Sequence, residues 1–192
     1  IGDVDGYDFK EMEHAFKKAK KKKSSVVIHV STIKGKGYNL AETSNVSSWH
    51  SVPPFNIEDG SIKDVLPENK IKLSKVIANK IEEELSKDPN SILITASTSV
   101  GSNFDTVIKN HPEQALDVGI SEEHAVTFAS GCALNNKHTF VSMYSTFLQR
   151  SYDQINHDVA RMDLPVTFLI DRSGLVGKDG ETHQGIFDES FL

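Results

Sequence analysis

The sequence predicts an α/β protein: a doubly wound, mostly parallel sheet over residues 61–192, preceded by the tail of a second α/β domain over residues 1–60. Three observations carry that expectation. From Ser91 onward, short apolar and β-branched runs alternate with helical periodicities, the pattern of a sheet wound with helices. Between Lys34 and Gly60 the chain holds no sustained period and carries Gly35, Gly37, Pro53, Pro54 and Gly60, which divides it. With 38% hydrophobic and 25% charged residues, the 192 residues supply one good core, or one and a fraction domains.

The composition also excludes several classes. No apolar run approaches the ~20 residues that cross a bilayer. Twenty-seven acids against 21 lysines and arginines give a net charge of -6, which argues against a nucleic-acid partner. Cys132 stands alone, so no internal disulfide or cysteine-cluster zinc site is available, and a reducing compartment suits it. The eight histidines include no HxH or HExxH pattern. Ile1-Gly2-Asp3-Val4-Asp5 reads as a cut end rather than a targeting peptide.

In chain order, Asp8 caps a helix with Glu11 completing a capping box, and Phe9, Met12, Phe16 and Ala19 form its buried stripe. Lys17, Lys18 and Lys20 to Lys23 are a solvated face near a helix C-terminus, where the dipole favours cations. Val26 to Val30 is a buried parallel strand. Phe55 to Pro67 reads as an interdomain connection. Leu73, Val76, Ile77, Ile81 and Leu85 mark an amphipathic helix that Asp88-Pro89-Asn90 ends. Strands then fall at Ser91–Thr95, Ala115–Val118, His138–Ser142 and Val166–Ile170. Helices fall at Asp105–Lys109, Glu122–Leu134 and Phe147–Arg161. Phe191-Leu192 brings no closing element, so the second unit reads as truncated.

Ligands of such sheets sit at the carboxyl ends of the strands, and the loops there are chemically rich. After Val118, Ser121 is an N-cap and Glu122 lies in the first turn of a helix of small apolar residues. A first-turn acid serves the dipole; at the mouth of a buried helix it can also trade a proton with a ligand nitrogen. After Ser142, Tyr144, Phe147 and Arg150 recur every three residues, as a core stripe or as one face of a site. A buried guanidinium in that stripe would need a partner. After Ile170, the Asp171–Gly185 stretch interleaves charge with four glycines, as in a loop whose backbone approaches something closely. Asp179 and His183 are an acid/base candidate pair there, and Trp49-His50 is a further candidate.

Taken in order, Lys34-Gly35-Lys36-Gly37-Tyr38, Trp49-His50, Gly119 to Val126, Tyr144 to Gln154 and Asp171 to Gly185 resemble the 1-deoxy-D-xylulose-5-phosphate synthase family of transketolase-like thiamine-diphosphate enzymes. The resemblance implies the pyrimidine-type domain of that fold over residues 61–192, and over residues 1–60 the C-terminal part of the diphosphate-binding domain with a linker. It implies condensation of pyruvate with glyceraldehyde 3-phosphate to 1-deoxyxylulose 5-phosphate and carbon dioxide, with thiamine diphosphate and Mg²⁺ as cofactors. Glu122 matches the glutamate that bonds the aminopyrimidine, Phe147 the ring stacked on it, and Tyr38 and Lys34 residues beside the cofactor. His50, Asp179 and His183 match polar residues around the reacting carbons. Tyr144, Arg150 and Arg172 match the lining of the aldehyde-phosphate pocket. His50 and His183 are expected to meet in one cleft.

Glu123, Ser51, Tyr7 and Asn56 replace the family's usual Gln, Gly, His and Asp. The Gly-Asp-Gly motif and downstream Asn that hold Mg²⁺ and diphosphate do not occur in these residues. Metal ligands are therefore expected upstream, and the chain alone is expected to be inactive. A homodimer in the cytoplasm of a bacterium, or in a plastid if eukaryotic, completes the implication. The alternatives are transketolase, a dehydrogenase E1 component, or a catalytically silent binding module.

Overall fold

The computed structural model describes residues 1–44, 49–63 and 67–192, in two compact units, Ile1–Val65 and Leu66–Leu192. Part of the Phe55 to Pro67 connection therefore lies outside the described residues.

In the first unit, β1 (Val4–Asp5) pairs in parallel with β2 (Val30–Ser31), joined by α1 (Phe9–Lys20), and α2 (Asn39–Thr43) follows. The Asp8 carboxylate caps α1 by accepting from the backbone N–H groups of Lys10 and Glu11. Glu11 turns instead to the N–H of Asp5, so the capping box is only half formed. Two expectations are corrected here. Ala15 is the buried residue of α1, while Phe9 is 87% and Phe16 49% exposed. The Val26–Val30 run forms a strand only at its end, and Val27 is exposed. The physical reason is common to both: a two-stranded sheet offers too little surface to bury a helix stripe or a full strand.

The second unit is built on four parallel strands in the order β4-β3-β5-β6: β3 (Ser91–Thr95), β4 (Ala115–Asp117), β5 (His138–Tyr144) and β6 (Val166–Asp171). Every residue of β3 is buried, as a central strand covered on both faces requires. Its side chains alternate between two cores. Ile92 and Ile94 pack with Ala125, Val126 and Ala129 of α5 (Glu122–Leu134). Leu93 packs with Ala78, Ile81 and Leu85 of α3 (Leu73–Lys87), and with Val107 of α4 (Asp105–Asn110). Leu73, Val76 and Ile77, expected in the α3 stripe, are exposed. Leu93 is fully buried at this double contact. Leu93→Ala is expected to cost ~2–5 kcal/mol, read as a lowered denaturation midpoint of the chain.

Helix α5 ends in a Schellman motif without glycine. Asn136 takes φ 58°, Lys137 N–H donates to Cys132 O at 3.1 Å, and Asn136 N–H donates to Ala133 O at 2.9 Å. The expected helix Phe147–Arg161 is interrupted. It comprises α6 (Ser145–Leu148), a 3₁₀ turn at Gln149–Ser151, α7 (Tyr152–Gln154) and a π-turn at Ile155–Ala160. The fully buried Ser151 hydroxyl donates back to Leu148 O at 2.9 Å, a bond that competes with regular helix and bends it. The chain closes with α8 (Asp188–Phe191). No helix among the described residues is long and apolar enough to cross a membrane.

Candidate active site

Three strand ends supply the site of the second unit. From β3 the chain passes to β4 on one side, then returns across β3 to β5 on the other. Reversals of this kind open a crevice at the carboxyl ends of the strands.

The β4 end leads into α5. Gly119 turns with φ 79°, and its N–H donates to the Asp117 carboxylate at 3.0 Å. Ser121 occupies the N-cap position, but its hydroxyl makes no capping hydrogen bond, contrary to expectation. Glu122 follows and is 2% exposed. Its Oε2 holds no hydrogen bond and lies 3.3 Å from a guanidinium nitrogen of Arg150, whose side chain is 52% exposed. A carboxylate buried this far would ordinarily be satisfied by several donors. The dipole explanation needs only an exposed first-turn acid, so the burial of Glu122 favours a site role. Arg150, expected in a phosphate pocket, here faces Glu122.

The β5 and β6 ends form a second constellation. Tyr144 ends β5 buried, and burial pushes its phenol pKa above the ordinary value against the opposing pull of Arg172. The Arg172 guanidinium lies 4.0 Å over the Tyr144 ring and donates to Asp179 Oδ1 at 2.9 Å. Arg172 holds φ 58°, a conformation costly for a side chain with a β-carbon. Its N–H donates to Asp171 Oδ1 at 2.8 Å, and Asp171 Oδ2 accepts from the Ser102 hydroxyl at 3.2 Å. Asp179 Oδ2 is buried without a hydrogen bond. The rings of Tyr144 and Phe147 stack at 5.8 Å, and that of His183 meets Phe147 edge-on at 5.3 Å. His183 Nδ1 lies 2.8 Å from the Thr182 hydroxyl.

The loop carrying Asp179 and His183 is pinned rather than loose. Gly174 and Gly185 exchange backbone hydrogen bonds, and the Gln184 side chain accepts from Val176 N–H at 2.8 Å and donates to Gly180 O. Ser173 is held by the buried Asp188 at 2.9 Å. A β-carbon on Gly185 would collide with the Ser145 side chain. The close approach expected of this glycine-rich loop is thus, at Gly185, to the start of α6.

The remaining candidates belong to the first unit. Tyr38, Trp49 and Phe55 form an aromatic trio with centroids 5.0–5.8 Å apart. The Tyr38 hydroxyl is buried without a hydrogen bond. Lys34 and His50 are exposed. Sequence reasoning missed Ser102 and Asp188 as supports, because nothing local marks a residue whose partner lies at or beyond the end of a distant strand.

The transketolase pyrimidine-binding domain family matches residues 69–192. Proteins named 1-deoxy-D-xylulose-5-phosphate synthase from Exiguobacterium sibiricum and Macrococcus caseolyticus are 47% and 45% identical over the whole chain. The chain spans 30% of the length of each of these curated relatives. A solved split-gene transketolase, described as an inactive β4 tetramer, aligns with TM-score 0.49 and 24% identity over 60% of this chain and 38% of its own.

Proposed function

The chain belongs to the transketolase pyrimidine-binding domain family, and from that premise we propose that it is part of a 1-deoxy-D-xylulose-5-phosphate synthase. Residues 61–192 are its pyrimidine-binding domain, and residues 1–60 the end of its diphosphate-binding domain with a linker. The reaction joins pyruvate to glyceraldehyde 3-phosphate and yields 1-deoxy-D-xylulose 5-phosphate and carbon dioxide. A cytoplasmic homodimer belongs to the same proposal. The single observation that carries it is the buried Glu122 carboxylate at the start of α5, with Oε2 short of a hydrogen bond.

That oxygen fits an aminopyrimidine nitrogen, and Phe147, three residues before the arginine that Glu122 faces, supplies an aromatic ring for it. Thiamine diphosphate, when bound, supplies the nucleophilic carbon of the reaction. Glu122 and Phe147 would hold its pyrimidine ring, and Tyr38 and Lys34 keep the cofactor-binding roles that the family resemblance implies. Mg²⁺ and its ligands belong to the expected upstream segment. Glu122 moves the proton at the pyrimidine nitrogen. Arg172, oriented by Asp179 and stacked on Tyr144, presents its planar fork to the aldehyde's phosphate, with the Tyr144 hydroxyl beside it. Arg150 either lends charge to that pocket or remains with Glu122. His183, with Nδ1 facing Thr182, has Nε2 left to move a proton at the aldehyde oxygen. His50 is assigned the same kind of transfer.

Product analysis of the intact enzyme tests the reading. Equal amounts of 1-deoxyxylulose 5-phosphate and carbon dioxide are expected from pyruvate and glyceraldehyde 3-phosphate. Two-carbon transfer from a ketose phosphate without carbon dioxide release would overturn it. The 192-residue chain by itself is expected to bind thiamine diphosphate with Mg²⁺ only in the roughly millimolar range, because half of the cofactor's contacts lie elsewhere. Titration calorimetry measures this, and micromolar binding would contradict it.

A further inference from the structure

We infer that Gly101 is a positioning residue of the phosphate end of the site, its missing side chain letting the Tyr144 hydroxyl and the Arg172 guanidinium lie against the loop that follows β3. The inference rests on the reading of Tyr144 and Arg172 as the phosphate pocket. Gly101 does not occupy the left-handed region, so its backbone conformation is open to any residue. Space is what demands glycine. A β-carbon built there would overlap the Tyr144 hydroxyl and come within 2.9 Å of both Tyr144 Cζ and Arg172 Nη2.

Either the loop or the pair would have to move, and the loop is fastened on both sides of the contact. Ser102 N–H donates to Thr98 O at 3.1 Å, and Phe104 N–H donates to Ser99 O at 2.7 Å. The Asn103 side chain donates to Ser74 Oγ at 2.8 Å, and the Phe104 ring is 2% exposed within the core. The Ser102 hydroxyl, one residue beyond the glycine, holds Asp171 at the base of Arg172. The pair has a softer way out, toward the open end of the site, because the Arg172 side chain keeps 33% of its surface exposed. A methyl group at position 101 therefore displaces the groups that would contact the phosphate. Three strand ends converge here, and the glycine sets the spacing between the first and the other two.

The test combines two measurements. In the intact enzyme, Gly101→Ala is expected to raise KM for glyceraldehyde 3-phosphate at least ~10-fold, with KM for pyruvate little changed. In the 192-residue chain, ultraviolet titration of the tyrosines is expected to show one phenol returning toward its ordinary range in Gly101→Ala, identified as Tyr144 by its loss in Tyr144→Phe. Because Tyr144→Phe removes the overlapping hydroxyl and leaves only the two 2.9 Å contacts, adding Gly101→Ala to it is expected to cost less than Gly101→Ala costs alone. Strictly additive penalties, or an unmoved Tyr144 titration, would overturn the positioning role. A shifted titration with an unmoved aldehyde KM would uphold the positioning role and reject the phosphate-pocket reading instead. If Gly101→Ala fails to fold, recovery of the fold by Tyr144→Phe supports the inference, and failure of both variants refutes it.

Discussion

Glu122→Gln in the intact enzyme is expected to lower turnover by ~10²–10⁴-fold, the usual range for loss of a positioned acid or base. The fold should survive. Glutamine keeps the size of the side chain, so no cavity opens beneath α5. The ion pair that disappears involves an arginine with 52% of its side chain exposed, which water can resolvate. Losing the first-turn charge costs under ~1 kcal/mol. A residue that only completes the helix dipole would show the opposite pattern, a slight loss of stability with ordinary activity. Deuterium exchange at the thiazolium carbon of the bound cofactor separates the two, together with the circular dichroism of the variant. Near-normal exchange in Glu122→Gln would remove the catalytic assignment.

Arg172→Ala is expected to raise KM for glyceraldehyde 3-phosphate by ~100-fold, and also to destabilise the second unit by ~1–3 kcal/mol. The stability loss arises at Asp179, whose side chain is 13% exposed and would keep neither of its oxygens paired. The figure is held to the low end for a buried pair because the Arg172 side chain is one-third exposed. Arg172→Lys separates the two effects. Its ammonium can still neutralise Asp179 but cannot reproduce the planar fork or the stack on Tyr144, so stability should recover further than affinity. Steady-state kinetics in each substrate and chemical denaturation of the two variants measure this. An aldehyde KM within ~2-fold of the parent in Arg172→Ala would eliminate the phosphate role.

The order of strands and helices in the second unit was legible because burial there has a local period. Ser91–Thr95 and Glu122–Leu134 fall where the pattern places them. Asp88-Pro89-Asn90 stops its helix by chemistry that acts over a few residues. The strand-end rule for such a sheet then singled out the segments that carry Glu122, Tyr144, Arg172, Asp179 and His183, at or just beyond strand ends. In the first unit the same reasoning overreached. Phe9, Phe16 and Val27 have the period of buried residues, yet a period states only which side chains share a face, and a two-stranded sheet does not cover that face.

Which side chains meet was decided by the tertiary structure alone. In sequence Arg150 reads as part of a core stripe or as a phosphate ligand, and only the packing of the helical stretch after β5 against α5 puts it 3.3 Å from the Glu122 carboxylate. Ser102 and Asp171 lie 69 positions apart, and their hydrogen bond exists because both follow strands of one parallel sheet. The left-handed turn at Arg172 and the crowding at Gly101 have no sequence period at all. Hydrophobic periodicity reports how each segment meets solvent. Contacts among loop residues depend on strand order and on a few backbone angles, and those are set by how the segments pack together.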